Sequence, residues 1–179
     1  MNRTVFLCIL WILGLAVAPL RAPQYNEAVE VVVDDLQATE YGVSLTLRAS
    51  QSDEELHMLI GLTEGQAIAR ALRSVKTPRP MTHDLLKTIL DRTGWRVQKV
   101  LIREYVKNPE GGTFLADLVL ERNGDTAVVD ARPSDAMAVA VRANAKIYVN
   151  PQVFEIVRQQ EQEQGPLEGE PSQEDTIHL

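Results

Sequence analysis

Val43, Leu45 and Leu47 alternate with Ser44, Thr46 and Arg48, and Leu56, Met58 and Ile60 repeat the pattern a few residues on. A period of two predicts strands with one buried face. Ala28 to Val33 reads as an earlier strand, Asp34 to Gly42 as a polar turn region and Gln51 to Glu55 as a turn. The period then changes. Ala67, Ile68, Ala71, Leu72 and Val75 form one helical stripe, with Thr63 and Gln66 spaced as a capping box at its start. Two prolines between Thr77 and Pro80 exclude helix there. Thr82 is placed to cap a second helix carrying Leu85, Leu86, Ile89 and Leu90, closed by Gly94.

Trp95 to Val106 predicts a long strand, Asn108 to Gly112 a hairpin turn and Phe114 to Leu120 the returning strand. Asn123-Gly124 turns the chain into a strand over Asp125 to Asp130, which Pro133 ends. Ser134 suits an N-cap, with Asp135 in the first turn where the helix dipole favours negative charge. Ala136, Val139, Ala140 and Ala143 give that helix a small apolar face, and Asn144 suits a left-handed cap. Lys146 to Val149 predicts a further strand, and Asn150-Pro151 a turn into a last short helix.

The order βββ-αα-βββ-α-β-α has hairpins and paired helices instead of alternating βα units. It predicts an α+β single domain, a mixed or antiparallel sheet packed with three to four helices. Three segments follow: residues 1–23, the domain over 28–158, and a tail over 159–179. Val5 to Leu20 is apolar throughout and flanked by Arg3 and Arg21, the pattern of a membrane anchor or an export signal. Pro19 after Ala16-Val17-Ala18 disfavours cleavage, so an uncleaved anchor is the expectation, with a membrane-anchored or exported location. The cytoplasmic face stays open, because arginine on both flanks gives no orientation. The tail carries six acids and no Lys or Arg over residues 161–179, and its composition is that of a disordered segment.

Charge narrows the partners. The chain carries −7 overall, but residues 28–160 hold 16 Lys and Arg against 18 Asp and Glu, so the domain is near neutral. No basic run marks a polyanion track. Cys8 is the single cysteine and lies in the apolar segment, so the domain has no thiol nucleophile, disulfide or thiolate metal site.

Three junctions repeat one arrangement: Thr63-Glu64, Thr82-His83-Asp84 and Ser134-Asp135 each set a carboxylate just after a hydroxyl at a helix start. Each fits simple capping. If the three converge on one cleft, they make a site.

Four segments resemble the bifunctional nuclease domain family: Leu59 to Leu72, Pro78 to Leu90, Gly112 to Glu121 and, most closely, Asp130 to Val149, which begins Asp-Ala-Arg-Pro-Ser-Asp-Ala-Met. Order and spacing agree over roughly Ala28 to Phe154. The resemblance implies hydrolysis of phosphodiester bonds in DNA and RNA. Such chemistry uses carboxylates around Mg2+ or Mn2+, for which Asp117, Asp130 and Asp135 are the candidate ligands. His83, Asp84, Asp130 and Asp135 are the candidate catalytic residues, His83 as acid or base. Arg79 and Arg132 are the candidate phosphate clamps. Arg132 has a rival role, pairing with Asp130 and Asp135 to fix the turn. A second reading is a non-enzymatic homo-oligomeric module that pairs through exposed hairpin edges. Convergence of the acids and His83 on one open cleft favours the enzyme; burial of Arg79 and Arg132 in ion pairs favours the module.

Overall fold

The computed structural model describes residues 27–108 and 112–164. The apolar segment over 1–23 and most of the acidic tail lie outside the described residues. No helix among those described is long and apolar enough to cross a membrane.

Seven strands form one sheet in the order β3-β2-β1-β7-β4-β5-β6. The first antiparallel meander comprises β1 (Val29–Thr39), β2 (Gly42–Ala49) and β3 (Glu55–Ile60). The second comprises β4 (Arg96–Val106), β5 (Thr113–Arg122) and β6 (Asp125–Ala131). β7 (Lys146–Val149) joins them, antiparallel to β1 and parallel to β4. The Asn123-Gly124 turn has positive φ at both residues, as a two-residue hairpin loop between twisted strands requires.

Four helices complete the α+β domain: α1 (Leu62–Leu72), α2 (Thr82–Arg92), α3 (Pro133–Ala143) and α4 (Pro151–Gln164). α3 is the hub, touching α1, α2, β4, β5 and β7. Its Ala136, Met137, Ala138, Val139 and Ala140 are buried, because small side chains let the backbone press onto the sheet. Leu45, Leu47, Leu56, Ile68 and Ile102 share this core and are essentially inaccessible. Each such side chain contributes about 1.5–3 kcal/mol by leaving water. α4 touches both β4 and β3, although three strands separate them in the sheet order, so the sheet curls.

The structure departs from the sequence-based expectation in four places. β1 continues through the expected turn region to Thr39, across a register shift between Val33 and Asp35. A bulge inserts a residue without ending the ladder, so the polar Asp34-Asp35 step reads falsely as a turn. α1 ends at Leu72, and Ser74 turns the chain with a positive φ before Val75. α4 is 14 residues long and takes in the start of the expected tail. Helix starts are displaced as well. Gly61, Met81 and Arg132 are the N-caps, so Thr63, Thr82 and Ser134 lie one or two residues inside their helices. At α3 the reason is Pro133, whose fixed φ and missing N–H suit the first helical position. Asn144 holds the expected left-handed C-cap of α3, with φ 52° and ψ 34°.

Candidate active site

Those displaced starts bring Glu64, Asp84 and Asp135 to the same place, the third residue of α1, α2 and α3. A carboxylate there can reach back to the N-cap amide. Asp84 does so, accepting from the Met81 N–H at 2.9 Å. It also accepts from Arg142 Nε, and Arg142 Nη1 donates to the Ala138 carbonyl at 2.7 Å, so Asp84 ties α2 to α3. The Arg142 hydrogen bond, helped by Met81 and only partly opposed by burial, holds the Asp84 carboxyl below the usual carboxylate range.

Asp135 faces elsewhere. Its Oδ1 lies 3.1 Å from His83 Nε2, and its Oδ2 accepts from Arg132 Nε at 2.7 Å. Arg132 Nη2 donates onward to Glu64 Oε1 at 2.9 Å. One chain of four side chains therefore links the starts of α2, α3 and α1. Burial alone pushes the Asp135 carboxyl up, but the hydrogen bonds from Arg132 and His83 and their charges outweigh it, and the group is held low. An ionised carboxylate only accepts, so the proton of this contact lies on His83 Nε2. His83 is buried, whereas Arg132 keeps 68% of its side chain exposed.

His83, Asp135 and Arg132 line an open groove of about 590 Å3 between α2, α3 and β6. Its walls are otherwise mostly apolar, with Leu86, Leu90, Leu118 and Val129 among them. Such walls lower the polarity on the side where His83 is buried, while the groove stays open to solvent at Arg132.

Asp130 also reaches this groove, but its carboxylate is engaged on the other side of the sheet. Asp117 and Asp130 are directly paired residues of β5 and β6, on the face opposite Leu118 and the helices. Two carboxylates opposite one another repel. Arg103 answers both, donating from Nη1 to Asp117 and from Nη2 to Asp130 at 2.8 Å. It occupies the register shift of β4 between Ile102 and Glu104, and nothing in the strand period singles it out. The signal that could have found it is the Asp117–Asp130 pairing itself, which demands a cation, but that pairing is visible only once the register is known.

The structure thus brings His83, Asp135 and Arg132 together, adds Glu64, and gives Asp84, Asp117 and Asp130 their own arginines. Arg79 is exposed and lines none of these features. The rival reading of Arg132 is half met, since it pairs with Asp135 but not with Asp130. Among the described residues, no group of three or more His, Cys, Asp or Glu is arranged to hold a metal ion. The candidate ligands are divided, with Asp117 and Asp130 against Arg103 and Asp135 against Arg132 and His83. A preformed divalent-cation site does not fit that arrangement.

The sequence model of the bifunctional nuclease domain matches residues 45–162, which contain this whole network. The chain belongs to the bifunctional nuclease domain family. An uncharacterized protein of Mycobacterium tuberculosis is 39% identical over 110 residues, covering 62% of this chain and 63% of that one. Bifunctional nuclease 1 of Oryza sativa subsp. japonica is 31% identical over 102 residues, covering 55% of this chain and 30% of the rice protein. Bifunctional nuclease 2 of Arabidopsis thaliana is 32% identical over 83 residues, covering 45% and 24%. The matched region spans less than two thirds of the Mycobacterium protein and less than a third of the plant proteins.

Proposed function

We propose that this bifunctional nuclease domain hydrolyses phosphodiester bonds of DNA and RNA in the groove between α2, α3 and β6. The observation that carries the reading is the His83–Asp135–Arg132 chain at its wall, together with plant relatives named bifunctional nuclease. Asp135 fixes the His83 ring through Nε2. Nδ1 has no partner among the described residues and is the atom that takes a proton from the attacking water. The imidazolium so formed is stabilised by the Asp135 carboxylate and returns its proton to the leaving oxygen as the scissile P–O bond breaks. Arg132 uses Nε on Asp135 and one Nη2 hydrogen on Glu64, so its outer N–H groups remain for a phosphate oxygen. The test is digestion of single-stranded DNA and RNA by the full chain, with Mg2+, with Mn2+ and with chelator, beside His83→Ala and Asp135→Asn. Dependence on Mg2+ or Mn2+ is an expectation that the same digestion tests. Equal activity in all three proteins sinks the reading.

A second reading, a homo-oligomeric module without enzymatic activity, is favoured by one observation. Met81, Leu85 and Ile89 form a ridge along α2 and are 43–54% exposed. Light scattering that finds a monomer at high concentration removes it. The apolar Val5 to Leu20 segment supports a membrane-anchored or exported protein, which fractionation of expressing cells tests.

A further inference from the structure

Arg132 is shared by two hollows. Beyond it, away from His83, lies a second one of about 550 Å3, walled by the β3 edge, the β4–β5 hairpin and the first turn of α3. Three of its features point to a ligand. The first is Ser134, 7% exposed and facing this hollow. The other buried polar residues, His83 and Asp117, are hydrogen-bonded; the Ser134 hydroxyl has no partner among the described residues. Its oxygen is not sealed off in the core but open to the hollow, so an acceptor bound there can take its hydrogen bond.

The second is the start of α3, an 11-residue helix. Pro133 has no N–H, and the first intrahelical bond of α3 is donated by the Ala136 N–H to the Arg132 carbonyl, so the N–H groups of Ser134 and Asp135 have no intrahelical acceptor and two donors and the positive helix end lie beside Arg132. The third is an aromatic wall. Tyr105 and Phe114 form a tilted pair with centroids 4.7 Å apart, both only partly buried and both lining the hollow.

We propose that this hollow binds the nucleoside part of a nucleotide whose phosphate sits on the start of α3, between Arg132 and the Ser134 hydroxyl, with its base against Phe114 and Tyr105. The proposal rests on the nuclease reading for the identity of the anion and deepens it in two ways. A base that enters this wall has left any duplex, so the ligand is single-stranded. Among the described residues, Arg132 is the only Lys or Arg lining either hollow, so one phosphate is engaged, and the site suits a strand end or a dinucleotide better than a long tract.

The test is equilibrium binding of adenosine 5′-monophosphate, ribose 5-phosphate and inorganic phosphate to the full chain by titration calorimetry, repeated with Ser134→Ala and Phe114→Leu. Circular dichroism confirms that both variants fold. Stacking on one aromatic residue predicts that the nucleotide binds at least about tenfold more tightly than the sugar phosphate. Phe114→Leu should erase that margin, while Ser134→Ala should weaken all three ligands alike. Equal binding of nucleotide and sugar phosphate, or variants that bind as the parent does, overturns the proposal. Binding and cleavage separate the two readings. Nucleotide binding without hydrolysis leaves this site standing and removes the nuclease, whereas hydrolysis without nucleotide preference does the reverse.

Discussion

Arg132 Nε donates to Asp135 Oδ2 at 2.7 Å, and Asp135 spends its other oxygen on His83. The arginine exposed at the mouth of the groove and the histidine buried in its wall therefore share one carboxylate. Asp135→Asn keeps the shape but supplies an amide where two acceptors are needed. We expect it to lower turnover by about 10²-fold or more, and His83→Ala by about 10²–10⁴-fold, the span of general acid–base catalysis. Steady-state assays of both variants check this. If Asp135→Asn raises KM while leaving kcat intact, Asp135 holds Arg132 for binding and has no part in proton transfer.

Arg103→Met leaves Asp117 and Asp130 facing each other across β5 and β6 without a counter-charge. Asp117 is the buried member, so the cost should reach about 1–3 kcal/mol, below the 3–5 of a fully buried broken pair because Asp130 is mostly exposed. Adding Asp117→Leu should restore most of the loss. Urea midpoints of the two variants measure it. Asp130→Asn should keep nuclease activity within a few fold, because its carboxylate belongs to the face opposite His83.

How much of this was legible in the chain follows from which interactions are local. The Asn123-Gly124 turn, the Asn144 cap and the alternation of β2 and β3 involve neighbours in sequence and could be read directly. The N-caps were misread because hydroxyl residues stand just inside each helix, and only Pro133 gave a local cue. Arg103 and the Glu64–Arg132 contact were invisible for a different reason. They depend on a strand register and on a helix-to-helix approach, spanning 68 residues in the second case. Of the expected site, His83, Asp135 and Arg132 meet in one groove because three helix starts abut, which no single segment encodes.

Stability should fall in acid. Asp84 and Asp135 are both held below the ordinary carboxylate range when folded, Asp84 chiefly by Arg142 and Asp135 by Arg132 against its own burial. The unfolded chain then binds protons first as pH drops. Their contribution is complete above the unfolded carboxylate range, near pH 4, and is lost as pH falls through the lower folded values. Denaturant midpoints from pH 6 to pH 2.5 should decline, and Arg142→Met should flatten the slope. An unchanged slope refutes Arg142 as the cause.

Gly65 of α1 is packed so closely on β2 that an added Cβ would stand 2.5 Å from Val43 Cγ2. Alanine is the better helix former by about 1 kcal/mol, but this overlap forces helix and strand apart at about 1–3 kcal/mol. Gly65→Ala should therefore be neutral at best and most often destabilising, by up to about 2 kcal/mol. A urea titration decides.

Binding of single-stranded oligonucleotides should depend only weakly on salt. With one arginine in the groove, a plot of log affinity against log salt should have a slope near −0.7, the value for one neutralised phosphate on a single strand. A slope of −3 or steeper would mean that cations such as Arg79 also contact the strand.

The position of β7 has a consequence for how the chain is made. It is the last of the described strands to be synthesised, yet among them it alone joins the two meanders, pairing with β1 on one side and β4 on the other. Until residues 146–149 leave the ribosome, the nascent chain holds two separate three-stranded ribbons with open edges. Closure of the sheet, and with it the seating of α3 on which the groove depends, is a late event of long sequence separation, the kind that folds slowly.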